Sequence, residues 1–120
     1  MAERILIFDD DPDILLVTAA ILRRKGYEVL CREDCTEMEK DIQGFNPAVI
    51  LMDNWMPAMT GVDAIKLIKT ISAFQHIPII FFSANSNLEA LATEAGADRL
   101  LKKPFNVADL EKLIAELLSN

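Results

Sequence analysis

The 120-residue sequence predicts an α/β fold, a doubly wound sandwich with a parallel sheet of five strands and five helices. Three observations predict it. Short apolar runs at residues 5–8, 29–31, 48–52, 77–82 and 100–101 alternate with stretches of helical spacing. The runs after residues 4, 47 and 76 lack in–out alternation, as strands covered on both faces do. Polar residues capable of chemistry then stand directly after these runs.

Each element has its own signal. The first strand is read in ILIFDDDPD, where four apolar residues run into aspartates. Asp11-Pro12 starts a helix, as an N-cap acceptor followed by proline at the first helical position. Ile14, Val17, Ile21 and Leu22 would share its inner face, and Gly26 would end it. After the second strand at 29–31, residues 36–43 fit a short helix with Met38 and Ile42 as its apolar face. The third strand at 48–52 leads past Gly61 to a helix carrying Val62, Ile65, Leu67 and Ile68. The fourth strand at 77–82 precedes a helix with Leu88, Leu91 and Ala95 before Gly96. The fifth strand, at 100–101, is followed by Asn106 as N-cap. The last helix carries Val107, Leu110, Leu113, Ile114 and Leu117. No linker, repeat or low-complexity tail divides the chain, so residues 1–120 read as a single domain.

Composition narrows the functional classes. Hydrophobic residues make up 52%, enough for a core, yet no apolar run approaches the roughly 20 residues of a membrane span. The N-terminus does not read as a signal peptide, so the expected location is the cytoplasm, away from the membrane. Twelve basic and nineteen acidic residues give a net charge of −7, which disfavours direct nucleic-acid binding. Cys31 and Cys35, with His76 the one histidine, are too few for a zinc site and read as reduced thiols.

The chemistry lies at the strand ends. In open parallel sheets, sites form beyond the carboxyl ends of the strands. Asp9 and Asp10 end the first strand, and Asp53 ends the third in AVILMDNWMPAMTG. Ser83 ends the fourth in IPIIFFSAN, and Lys103 follows the fifth in RLLKKPF. Three clustered acids need a cation, and hard oxygen ligands on rigid strand ends suit Mg²⁺. Ser83 can donate to a phosphoryl oxygen, and Lys103 supplies a point charge against another. Asp53, alone on the middle strand, is the candidate nucleophile for an aspartyl phosphate. Phosphoryl transfer needs mainly positioning and charge neutralisation, so no histidine base is required. Asp11 and Asp13 read instead as N-cap and first-turn residues beside the helix dipole. Met56, Pro57 and Met59 would shape a loop over the site, and His76 a polar connection.

With these four motifs in order, the sequence resembles a response-regulator receiver domain of two-component signalling, along its whole length. The resemblance implies a CheY-like, flavodoxin-like sheet in strand order 2-1-3-4-5. It makes Asp53 the phosphoacceptor, with Asp9 and Asp10 as the acidic pair. Asp10, Asp53 and the backbone carbonyl of Trp55 would bind Mg²⁺ directly, and Asp9 through water. Ser83 would be the switch hydroxyl, Lys103 the site lysine, and Lys103-Pro104 a cis bond. The donor would be a sensor histidine kinase or a histidine phosphotransfer protein. The recipient of the signal would be an effector protein, or an output domain beyond Asn120. Such a domain is no enzyme in the ordinary sense, catalysing only its own phosphorylation and dephosphorylation. One departure stands out: Leu100 occupies the position where the family usually has an aromatic that moves inward with the hydroxyl.

Three other classes compete with this reading. A Mg²⁺-dependent phosphohydrolase of the haloacid dehalogenase type would use Asp9 as nucleophile, would ordinarily be longer, and leaves Asp53 without a role. A flavodoxin-like cofactor binder would need a phosphate-cradling loop where this chain has aspartates. A constitutive interaction module that takes no phosphate would not need every site residue retained.

Overall fold

The computed structural model describes residues 2–119; Met1 and Asn120 of the expected domain lie outside the described residues. Five strands, β1 (Arg4–Phe8), β2 (Glu28–Arg32), β3 (Val49–Met52), β4 (Ile79–Ser83) and β5 (Arg99–Lys102), alternate with five helices. The helices are α1 (Pro12–Arg24), α2 (Met38–Phe45), α3 (Gly61–Thr70), α4 (Leu88–Ala95) and α5 (Val107–Leu118). All strand pairs are parallel, in the order β2-β1-β3-β4-β5. Every residue of β3 and β4 is buried, as the absence of alternation in their sequences requires.

Successive strand residues serve opposite faces. Leu6, Phe8, Ile50, Met52, Ile79 and Phe81 pack with α2, α3 and α4 in one core layer. Ile5, Ile7, Val49, Leu51, Ile80 and Phe82 pack with α1 and α5 in the other. The caps follow their sequence signals. Asp11 accepts from the N–H of Asp13 at 2.9 Å and of Ile14 at 3.4 Å, and Asn106 accepts from Asp109 N–H at 2.7 Å.

Some faces differ from the periodicity. In α1 the buried stripe is Leu15, Thr18, Ala19 and Leu22, while Val17 is 55% exposed. Residues 14–17 are all apolar, so two overlapping stripes fit equally well, and the small side chains of Thr18 and Ala19 face inward. Leu67, Leu100 and Val107 also lie exposed rather than in the core. α2 starts and ends two residues later than expected, closing at Asn46 in a left-handed conformation. β4 starts at Ile79 because Pro78 has no N–H to donate, although its carbonyl accepts from Ile50 at 3.0 Å. No helix among the described residues is long and apolar enough to cross a membrane.

Candidate functional site

The parallel ladder runs one residue past the strands and thereby sets the backbone of the site. Asp9 N–H donates to Arg32 O at 3.0 Å, Asp53 N–H to Phe8 O at 2.9 Å and Lys103 N–H to Ser83 O at 3.0 Å. The side chains of Asp9, Asp53 and Lys103 therefore leave the sheet at one edge.

There they meet. The Lys103 ammonium pairs with Asp9 Oδ2 and, at 3.1 Å, with Asp53 Oδ1. It also lies 4.6 Å from the centre of the Phe82 ring. Asp9 is fully buried and Asp53 is 3% exposed, whereas Asp10 faces solvent. Oxygens from Asp9, Asp10 and Asp53 all lie within 4.8 Å of one another. Three carboxylates against one ammonium leave two negative charges, the complement of a divalent cation. The all-oxygen donor set fits Mg²⁺ by hardness as well. Burial pushes the Asp53 carboxyl above its ordinary value; Lys103 opposes that rise, and Asp9 and Asp10 add to it.

The two candidate nucleophiles differ in what holds them. Asp9 Oδ1 accepts from Asp11 N–H at 2.9 Å and Oδ2 is taken by Lys103, so both its oxygens are engaged. Asp53 commits only Oδ1 to Lys103. Ser83 is buried at the end of β4, where its Oγ accepts from Asn85 N–H at 3.2 Å and makes no bond to the acids. Trp55 is 60% exposed two residues beyond Asp53, with Met56 buried beneath the loop. Lys103-Pro104 is a cis peptide. Leu100, 38% exposed, lines a hollow of about 450 Å³ with residues of the β4–α4 loop, α4 and Lys102.

Two residues escaped the sequence reading. Asn54 is buried beside Asp53, and Gly61 packs so closely that a Cβ there would lie 2.2 Å from Asp53 O. Neither is a titratable or metal-binding type. Only the spacing from Asp53 to the helix start hinted at a closed loop.

Fold and site together define an α/β domain in which carboxylates and an ammonium gather beyond the carboxyl edge of a parallel sheet. The family model of the response regulator receiver domain matches residues 5–115, and the chain belongs to that family. It is 29% identical over 112 residues to the DNA-binding response regulator MtrA of Mycolicibacterium smegmatis, covering 92% of this chain and 48% of that protein. The chain thus spans about half the length of the curated relatives it matches. A CheY-like response regulator receiver domain protein from Methanospirillum hungatei superposes with a TM-score of 0.87 at 31% identity, over 99% of this chain and 96% of that one. The receiver domain of a signal transduction histidine kinase from Syntrophus aciditrophicus gives 0.91 at 28% identity, over 98% and 91%. The domain is a response regulator receiver of two-component signalling.

Proposed function

We propose that Asp53 accepts a phosphoryl group from a sensor histidine kinase or histidine phosphotransfer protein, with Mg²⁺ held by Asp10, Asp53 and the Trp55 carbonyl, and by Asp9 through water. The observation that carries this reading is the meeting of Asp9, Asp10 and Asp53 with Lys103 at one edge. In the transfer, an Asp53 oxygen forms a bond to phosphorus as the bond from phosphorus to the donor's imidazole nitrogen breaks. The electron pair and a proton remain with the imidazole. Bound Mg²⁺ supplies charge neutralisation for the incoming phosphoryl oxygens. Lys103, already beside Asp53 Oδ1, supplies a second positive charge, and Ser83 a hydroxyl donor. Phosphorylation then switches contacts with an effector protein or an output domain.

Intact-mass measurement after incubation with acetyl phosphate tests this. A phosphoryl gain is expected with Mg²⁺ or Mn²⁺ and not with chelator, and peptide mapping should place it on Asp53. A gain mapped to Asp9 would favour the hydrolase reading, for which the full engagement of both Asp9 oxygens is an obstacle.

The lifetime of the phosphorylated state should depend on Trp55 more than on Asn85. Water must reach phosphorus in line, and a large apolar indole lying across the site mouth would exclude it. Asn85 Oδ1 already accepts from Asn87 N–H at 2.8 Å, so that atom is committed to the loop rather than to orienting water. Trp55→Ala is expected to speed loss of phosphate severalfold after donor removal, and Asn85→Ala to change it less. An unchanged decay in Trp55→Ala would rule out the shield.

A further inference from the structure

The loop after Asp53 is closed by a residue outside the acidic cluster. α3 begins at Gly61, so the amides of Gly61, Val62 and Asp63 have no partner within the helix. The N-cap Thr60 serves only the third, its Oγ1 accepting from Asp63 N–H at 3.1 Å. Asn54 serves the other two. Gly61 N–H donates to Asn54 O at 2.8 Å, and Val62 N–H donates to Asn54 Oδ1 at 3.3 Å. Met56 N–H also donates to Asn54 O, at 3.2 Å. With Asn54 only 5% exposed, water is a poor substitute for these acceptors.

We propose that Asn54 is a positioning residue for cation binding at Asp53, an inference that rests on the function proposed above. The Asp53 backbone is held on its N-terminal side by the bond to Phe8 O. On its C-terminal side, Asn54 draws the head of α3 onto it, close enough that only a residue without Cβ fits at 61. The 4.8 Å gathering of the three carboxylates depends on every backbone keeping its place. Asp9 is tied to β2 and to Asp11, and Asp53 to α3 through Asn54. A small cation that demands near-octahedral oxygens senses small errors in that spacing. Loss of such an outer partner typically lowers metal affinity by about tenfold or more.

The test is Mg²⁺ titration of the full chain, read by the fluorescence of Trp55, the one tryptophan, together with phosphorylation rate against Mg²⁺ concentration. Asn54→Leu removes the side-chain acceptor while keeping bulk. Asn54→Ser, which shortens it, replaces that variant if circular dichroism shows Asn54→Leu unfolded. Expected is about a tenfold rise in the Mg²⁺ dissociation constant, with the rate at saturating Mg²⁺ within about twofold of wild type, because bound cation gathers the carboxylates again. Unchanged Mg²⁺ affinity in the folded variant would overturn the proposal, as would a lost maximal rate at unchanged affinity. Failure of wild type itself to take up phosphate would instead refute the function on which the inference rests.

Discussion

Asp53→Asn is expected to abolish phosphorylation and at the same time to raise the melting temperature of the metal-free protein. The first effect follows from chemistry, since an amide oxygen is too weak a nucleophile to form the acyl phosphate. The second follows from burial. Asp53 is 3% exposed, and its carboxyl titrates above the ordinary value because desolvation outweighs the attraction of Lys103. A raised carboxyl pKa means that the folded state holds its proton more tightly than the unfolded chain. Its contribution to stability is therefore present below the ordinary value of 3.8 and is lost as pH rises through the raised one. At neutral pH the charged form is a burden that asparagine lifts, while Lys103 keeps Asp9 as a partner. A gain of about 1 kcal/mol would move the midpoint by roughly 4 °C in a domain of this size. The difference should vanish as pH falls toward 3.8. It should also narrow as Mg²⁺ is added, because only the wild type keeps all three carboxylates to be stabilised by binding. Thermal unfolding across pH, with and without Mg²⁺, checks the whole pattern. A variant that melts lower than wild type in chelator at neutral pH would show that the Lys103–Asp53 pair outweighs burial.

The parts of this molecule legible in the sequence are those encoded by short-range signals. Residues 5–8, 49–52 and 79–82 are continuous apolar runs, and a strand buried on both faces has few other ways to be written. Once the strands are parallel, the residues just beyond β1, β3 and β5 land at the same edge, so Asp9, Asp53 and Lys103 could be placed without coordinates. Helix faces were less legible. Ile14, Leu15, Leu16 and Val17 are all apolar, and only packing decides that Leu15 goes in while Leu16 and Val17 stay out. Leu67 and Val107 were lost the same way, as apolar residues at the margin of a stripe. Asn54 was invisible for a different reason. Its acceptors serve amides seven and eight residues away, and that pairing exists only when the loop has closed. Polar side chains that satisfy a distant helix end leave no local pattern to read.

Gly61 and Gly44 bear the same substitution with opposite expected outcomes. Gly61→Ala would place a Cβ 2.2 Å from Asp53 O and 2.8 Å from both Asp53 C and Asn54 Cα, all of them backbone atoms. No rotamer change relieves such a contact, so the head of α3 must retreat from the end of β3. That retreat breaks the bonds from Gly61 and Val62 to Asn54 in a buried setting. Overpacking and stranded amides together should cost about 3 kcal/mol, and the displaced Asp53 should bind Mg²⁺ and take phosphate more weakly. Gly44 lies within α2 with nothing within 4 Å of a Cβ. Alanine there removes only the flexibility of the unfolded chain and should add about 0.5–1 kcal/mol. Urea unfolding of both variants, with m-values compared, separates the two cases. A Gly61→Ala protein within about 0.5 kcal/mol of wild type, the range of inconsequential substitutions, would mean that α3 can move off β3 freely. Asp53 would then be held by the sheet alone, and the rigid seat ascribed to it at this edge would not exist.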